Sequence, residues 1–109
     1  MRAALEHLVD RANGRRTVAV LGEMAELGAG APRFHEEVGA FARSIGVDVV
    51  VGVGELSRHY EPDDWAADAA AASELARTVV AAGDTVLVKA SRAVGLEIVA
   101  DALNGVPAQ

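Results

Sequence analysis

The sequence predicts an α/β domain in which helices cover both faces of a mostly parallel sheet. Short apolar runs at 17–21, 48–53 and 85–88 have the length and the Val/Leu content of strands buried on both faces. Stretches with apolar residues at helical spacing lie between these runs, and Gly, Asn or Pro marks most of the boundaries. Buried strands that alternate with amphipathic helices indicate βαβ units. The predicted architecture is therefore a Rossmann-like, three-layer domain.

Length and composition predict a single folding unit. The chain has 109 residues, which is close to the commonest domain size and is long enough for one hydrophobic core. Hydrophobic residues make up 51% of the chain and aromatic residues only 4%, so the core must be built mainly from Ala, Val and Leu. We expect one domain over residues 1–106 and a disordered tail over residues 107–109.

The first helix is predicted from Leu5, Leu8, Val9 and Ala12, which share one face, and Asn13-Gly14 supplies its C-terminal stop. No Ser, Thr, Asp or Asn precedes it to act as an N-cap. Met1 is therefore either a frayed natural start or the point at which a longer chain was cut. The first strand, over residues 17–21, ends at Gly22.

The second helix is predicted to begin near Pro32, because Pro suits the first turn, and to end at Gly46. Its apolar face is Phe34, Val38, Phe41, Ala42 and Ile45. The second strand follows over residues 48–53. A short helical turn over residues 55–60 then leads to a breaker at 61–64, and Trp65-Ala66 is a candidate edge strand.

The last third of the chain predicts a helix, a strand and a closing helix. The alanine-rich stretch 69–82 reads as a helix that Gly83 stops, and residues 85–88 form another buried strand. Leu96, Val99, Ala100 and Leu103 fall at helical spacing, so we expect a closing helix that ends at Asn104-Gly105.

Charge and composition argue against several classes of partner. The formal charge is −6 and the basic residues do not cluster, so we expect no nucleic-acid partner. No apolar run approaches the ~20 residues of a membrane span, and the first residues lack the apolar segment of a signal peptide, so we expect no membrane partner. The absence of cysteine suits a reducing cytoplasm.

Three polar loops are predicted to meet at one edge of the sheet. They follow the three apolar strands, at residues 22–28, 52–55 and 89–95. Ligands of open parallel sheets bind beyond the carboxyl ends of the strands, so this edge is the predicted site. Lys89 is the single lysine among ten basic residues, and Ser91 and Arg92 follow it, an arrangement that suits a small anion. The alternative is a solvated lysine at a strand end.

The other motifs at this edge are less specific. Gly52-x-Gly54 is a fragment of a dinucleotide fingerprint, but Ser57 stands where the third glycine belongs, which favours a tight turn. Glu23 and Glu26 could face one way as a metal or amine site, or could simply solvate a loop or begin a helix, where negative charge is favourable. His35 has no second histidine at ligand spacing and fits a structural or surface role. We predict no metal site, and no Walker phosphate loop is present.

Three blocks of sequence, in this order, resemble a known family. They are Val18-Ala19-Val20-Leu21-Gly22-Glu23-Met24-Ala25-Glu26-Leu27-Gly28, Phe34-His35-Glu36-Glu37-Val38-Gly39, and Val86-Leu87-Val88-Lys89-Ala90-Ser91-Arg92-Ala93-Val94-Gly95-Leu96-Glu97. Together they resemble the C-terminal domain of the bacterial Mur ligases, across nearly the whole chain. The family usually has Asp where Glu23 stands, and glycines where Ala90 and Ala93 stand.

The resemblance implies an ATP-dependent amide-bond ligase of peptidoglycan precursor synthesis. Enzymes of this family have three domains, and the upstream ones, absent from this chain, bind the UDP-sugar-peptide and hold ATP with Mg²⁺. The peptide carboxylate becomes an acyl phosphate that an amine attacks. Lys-x-Ser-Arg favours the branch that adds D-alanyl-D-alanine to UDP-N-acetylmuramoyl-tripeptide. The implied role of this domain is to close over ATP and the incoming dipeptide.

The resemblance also assigns candidate residues. Lys89, Ser91 and Arg92 are expected to grip the dipeptide carboxylate or the nucleotide edge, and Glu23, Glu26 and His35 are weaker candidates in the same cleft. No catalytic residue is expected in this chain, which alone should be inactive. Two alternatives stay open: the equivalent domain of another Mur or folylpolyglutamate-type ligase, and a free-standing module that binds a small anion.

Overall fold

The computed structural model describes residues 1–24 and 29–89, together with the backbone of residues 97–101. Its sheet has the strand order β3-β2-β1-β4-β5. The strands are β1 (Thr17–Gly22), β2 (Val49–Val53), β3 (Asp64–Ala66), β4 (Thr85–Lys89) and β5 (Glu97–Asp101). The first four run parallel, and β5 pairs with β4 in the antiparallel direction. The mostly parallel sheet and the edge strand at Trp65-Ala66 are therefore confirmed.

Three α-helices and one 3-10 helix accompany these strands in the described ranges. They are α1 (Arg2–Ala12), α2 (Ala31–Ser44), α3 (Ala69–Val79) and the 3-10 helix (Glu55–Tyr60). Asn13 caps α1 in a left-handed conformation with φ 49°, and Met1 offers α1 no side-chain cap, as the sequence predicts. None of the helices described has the combination of length and apolar character needed to cross a bilayer.

The two faces of the sheet carry separate cores, which confirms the three-layer architecture. Successive β1 residues alternate between these cores, since side chains of a strand point to opposite faces in turn. Ala19 and Leu21 pack with the buried residues of α1 and α2. Val18 and Val20 pack on the opposite side, where Leu75 and Val79 of α3 contribute. The small aliphatic residues allow β1 to be buried along its whole length.

Helix α3 is shorter than the sequence predicts. It begins after Asp68, whose carboxylate accepts a hydrogen bond from the Ala71 N–H at 2.9 Å. It ends at Val79 rather than near Ala82, because Val80 turns to an extended conformation and is buried in the core beneath α3. Burial of Val80 against the sheet outweighs the helix propensity of the two alanines that follow it.

The predicted closing helix is wrong where the structure describes it. Residues Glu97–Asp101 form strand β5, with Ile98 in register with Val88 and Val99 in register with Leu87. A short apolar run with adjacent β-branched residues cannot be distinguished from a helix segment by spacing alone. Pairing with β4 satisfies backbone groups that would otherwise form an open sheet edge. The remainder of that prediction and the predicted tail at 107–109 lie outside the described residues.

Partly buried polar bonds hold the amino ends of the strands together. The Thr17 N–H and hydroxyl both donate to the Asp48 carboxylate, at 2.8 and 3.2 Å, and the Thr17 hydroxyl accepts from the Asp48 N–H at 2.9 Å. Asp84 is 3% exposed and accepts from the Arg16 guanidinium at 2.9 Å and from the Ala81 N–H at 2.8 Å. These bonds connect the starts of β1, β2 and β4.

Candidate functional site

The neighbouring strands β2, β1 and β4 end at one edge of the sheet, where the sequence predicts the three polar loops. Leu21 near the end of β1 is in register with Gly52 of β2 on one side and with Lys89 of β4 on the other. We use the term carboxyl edge for Gly22–Met24, Gly52–Glu55 and Lys89. Lys89 is half-buried, and on its far side it is in register with Glu97 of β5. The structure thus places Lys89 beside the strand that precedes Glu23. Glu26, Ser91 and Arg92 lie outside the described residues.

Glu23 connects the first two loops of the carboxyl edge. Its N–H donates to the Val53 carbonyl at 3.1 Å, and its carboxylate accepts from the Leu56 N–H at 2.8 Å, at the start of the 3-10 helix. Negative charge is favourable at the amino end of a helix. One carboxylate oxygen is therefore committed to the fold, and the interaction spans from β1 to the loop after β2.

The Gly52-x-Gly54 segment is a packed turn, which is the alternative that the sequence favoured. Gly54 has φ +98°, and a Cβ there would lie 2.7 Å from the Glu23 carboxyl carbon. Its carbonyl accepts from the Trp65 indole N–H at 2.8 Å. A Cβ on Gly52 would lie 2.8 Å from the Ser57 hydroxyl oxygen. Glycine is required here by close packing of protein groups, with no need to invoke a dinucleotide.

His35 is buried beneath the carboxyl edge, and both of its ring nitrogens are engaged. It is 0% exposed. The Met24 N–H donates to His35 Nε2 at 2.9 Å, and His35 Nδ1 is hydrogen-bonded to the Ala31 carbonyl within α2. Because Nε2 accepts, the proton lies on Nδ1, which fixes the neutral tautomer. This geometry favours the structural role for His35 and uses its side chain to position Met24.

Tyr60 belongs to this network, although the sequence analysis did not single it out. Its hydroxyl donates to the Gly22 carbonyl at 2.9 Å, and its ring centroid lies 4.7 Å from that of His35. Tyr60 is the largest of the fully buried side chains. The available sequence signal was weak: Tyr60 is the single tyrosine and ends the predicted helical turn, but nothing local indicates which strand it reaches.

The outer side of the carboxyl edge carries a stacked pair. The Arg58 guanidinium lies 3.7 Å from the centroid of the Trp65 ring, and Trp65 is half-buried. Arg58 also forms an exposed ion pair with Glu55 at 3.2 Å. These contacts fasten the 3-10 helix to the edge strand β3.

The buried polar side chains in the described ranges are engaged with other groups of the protein. Within residues 1–24 and 29–89, no three His, Asp or Glu side chains come together as metal ligands would. Every buried side-chain nitrogen or oxygen in that part has a hydrogen-bond partner. Lys89 adds a half-buried cation at the end of β4. Such an edge can hold an anionic or polar ligand.

Comparisons with known proteins agree with one another. Residues 1–92 match the family described as "Mur ligase, glutamate ligase domain". The chain is 39% identical to a Mycobacterium leprae protein over 96% of the chain, 40% identical to one from Mycobacterium tuberculosis over 94%, and 35% identical to one from Escherichia coli over 95%. All three are named UDP-N-acetylmuramoyl-tripeptide–D-alanyl-D-alanine ligase. The chain spans about a quarter of their length, as the covered shares of 25%, 26% and 24% show. No solved structure matches.

Proposed function

This chain belongs to the Mur ligase family, and from that premise we propose that it is the C-terminal domain of a cytoplasmic, ATP-dependent ligase. The reaction would join D-alanyl-D-alanine to UDP-N-acetylmuramoyl-tripeptide in peptidoglycan precursor synthesis. The names of relatives that are 35–40% identical over nearly the whole chain support this assignment. The chain spans about a quarter of the length of those relatives. Its main protein partner in this proposal is therefore the remainder of the same polypeptide, which would supply the domains that bind the UDP-linked substrate and ATP.

The observation that carries the proposal is the position of Lys89. It is the last residue of β4 and is in register with Leu21 of the adjacent strand β1. The next residue of β1 begins the segment Gly22–Met24, which is held by the hydrogen bonds of the Tyr60, Glu23 and His35 side chains. In this proposal Lys89, with Ser91 and Arg92 of the same loop, donates charge-assisted hydrogen bonds to the dipeptide carboxylate or to the nucleotide. Glu23 and Glu26 contribute charge to the same cleft, and His35 acts through Met24 without touching the ligand.

ATP and Mg²⁺ would be held mainly outside this chain. The described residues offer neither a cluster of acidic side chains for a divalent cation nor a Walker phosphate loop, so they do not fit a complete Mg-ATP site. The contribution of this domain is to position the dipeptide and to exclude water when the domains close. Orientation of this kind lowers the barrier without a base or nucleophile on the domain itself.

A domain graft tests the proposal. Residues 1–109 replace the matching segment of the Mycobacterium leprae relative, and phosphate release is measured with UDP-N-acetylmuramoyl-tripeptide, Mg-ATP and D-alanyl-D-alanine. We expect the graft to release phosphate only when the dipeptide is present, and the 109-residue chain alone to release none. A folded graft that shows no dipeptide-dependent release, beside an intact relative that does, would contradict the proposal.

A further inference from the structure

We propose that Tyr60 is a positioning residue for the carboxyl edge and that it acts through the Gly22 carbonyl. We call the 3-10 helix Glu55–Tyr60 the clamp, because it holds the end of β1 at two points and Tyr60 provides one of them. The inference rests on the proposed ligase function, and it adds a residue that does not itself reach the ligand. Tyr60 is fully buried, so its influence on any bound molecule has to pass through the backbone that it holds.

Both ends of the 3-10 helix bind consecutive residues at the exit of β1. At its start, the Leu56 N–H donates to the Glu23 carboxylate at 2.8 Å. At its end, the Tyr60 hydroxyl donates to the Gly22 carbonyl at 2.9 Å. This helix of 6 residues is therefore hydrogen-bonded to two consecutive residues at the end of β1. Two such bonds fix both the position and the direction in which the chain leaves the sheet.

Helix α2 adds the third point of the same segment. The His35 ring accepts from the Met24 N–H at 2.9 Å and packs against the Tyr60 ring at 4.7 Å between centroids. Gly22, Glu23 and Met24 are thus held by three different side-chain interactions in sequence order. Since Tyr60 and His35 share a buried ring contact, a change at one of them is transmitted to the other.

The clamp also packs closely against α2. The Arg43 guanidinium donates to the Tyr60 carbonyl at 3.0 Å. Gly39 allows the closest approach, because a Cβ there would overlap the Tyr60 backbone carbonyl. A shift of α2 would therefore move Tyr60 and, through its hydroxyl, the end of β1. Lys89 stands on the adjacent strand, in register with Leu21, so a shift of that exit changes the geometry on which the proposed ligand depends.

Two variants at opposite ends of β1 test the inference. Tyr60→Phe keeps the ring and removes the hydroxyl that binds the last residue of the strand. Thr17→Val keeps the shape and removes the hydroxyl that binds Asp48 at the first residue. Each loses a buried hydroxyl, so both lower the thermal midpoint. Only Tyr60→Phe should loosen the carboxyl edge.

The first readout is amide hydrogen exchange of the 109-residue chain, which needs no ligand. In Tyr60→Phe we expect exchange at the Glu23, Met24 and Leu56 amides to rise about fivefold, the factor that corresponds to ~1 kcal/mol for one net hydrogen bond. In Thr17→Val, the exchange rates of the same three amides should match those of the wild type when each protein is measured at the same number of degrees below its own thermal midpoint. Unchanged exchange in Tyr60→Phe would overturn the clamp.

The second readout separates this inference from the proposed function. In the graft, Tyr60→Phe should raise the KM for D-alanyl-D-alanine about fivefold with a smaller change in kcat, whereas Thr17→Val leaves KM at the wild-type value. A wild-type graft without ligation contradicts the proposed function and leaves the exchange result to decide the clamp. A graft that ligates equally well with either residue at position 60 overturns the positioning role.

Discussion

The two ends of strand β1 are both held by polar bonds that are at least partly buried, but the partners come from different parts of the fold. At the amino end, Thr17 and Asp48 bind each other reciprocally, and Asp84 binds Arg16, so the partners are the starts of neighbouring strands. At the carboxyl end, the side chains that hold β1 come from α2 and the 3-10 helix. The first arrangement joins neighbouring strands within the sheet. The second joins the sheet to α2 and the 3-10 helix.

This difference predicts that the two ends of β1 contribute differently to stability and to the proposed binding. At the amino end, one oxygen each of Asp48 and Asp84 accepts hydrogen bonds from the starts of the strands and the turns before them. At the carboxyl end, the polar groups set the course of loops, and the neighbouring strand ends on Lys89. We therefore expect changes at the amino end to alter the free energy of unfolding alone. Changes at the carboxyl end should alter both unfolding and the proposed binding of the dipeptide.

The largest expected effect comes from Gly39→Ala, which disrupts the carboxyl side. The added Cβ would lie 2.8 Å from the Tyr60 carbonyl carbon, so α2 and the 3-10 helix must separate. We expect a loss of ~3 kcal/mol or failure to fold, measured by chemical denaturation. Gly30→Ala is the matched control, because nothing lies within 4 Å of its Cβ, and it should stay within about 0.5 kcal/mol of the wild type. Equal losses in both variants would contradict the close approach at Gly39.

Asp84→Ala disrupts the amino side. It removes the nearly buried carboxylate that accepts from both the Arg16 guanidinium and the Ala81 N–H. We expect a loss of about 2 kcal/mol in the free energy of unfolding, by urea denaturation, and Asp84→Asn should recover part of it. In the graft, the KM for the dipeptide should stay at the wild-type value. An altered KM at full folding would show that the amino end also affects binding.

Glu23→Ala gives a smaller loss at the carboxyl edge. It leaves the Leu56 N–H without its acceptor at the start of the 3-10 helix, and we expect a cost of ~1 kcal/mol by thermal unfolding. Glu23→Gln keeps an oxygen acceptor and should cost less than about 0.5 kcal/mol. Comparison of the two variants separates the hydrogen bond from the charge. If Glu23→Gln proves as costly as Glu23→Ala, charge and not the hydrogen bond dominates.

The smallest effect is expected at the outer stacked pair. Arg58→Ala removes the guanidinium from the face of Trp65, with an expected cost of ~0.5–1 kcal/mol for a cation–π contact at an exposed site. Trp65 is the single tryptophan, so its fluorescence should report the change directly. Arg33→Ala, which breaks an exposed i,i+4 pair with Glu37, serves as the control and should leave the spectrum unchanged.

Sequence spacing predicted the layers and the strands β1, β2 and β4, because each of these is a short apolar run bounded by glycine or polar residues. It failed at Glu97–Asp101, where the same apolar spacing fits a strand and only the open edge of β4 decides. It could place Glu23 and Lys89 near one edge, because the carboxyl ends of parallel strands coincide, whereas His35 on α2 was assigned to that cleft only by the family resemblance. It could not find Tyr60, since the contact with Gly22 joins residues 38 positions apart and leaves no local pattern.

One pair of grafts tests the central claim most directly: Lys89→Ala at the carboxyl edge against Asp84→Ala at the amino end. Dipeptide-dependent phosphate release is measured for both at a temperature where both are fully folded. Loss of one charge-assisted hydrogen bond, ~1.5–3 kcal/mol, predicts a KM for D-alanyl-D-alanine about 10- to 100-fold higher in Lys89→Ala and unchanged in Asp84→Ala. A wild-type KM in Lys89→Ala, or an equal rise in both variants, would contradict the claim that binding belongs to the carboxyl edge.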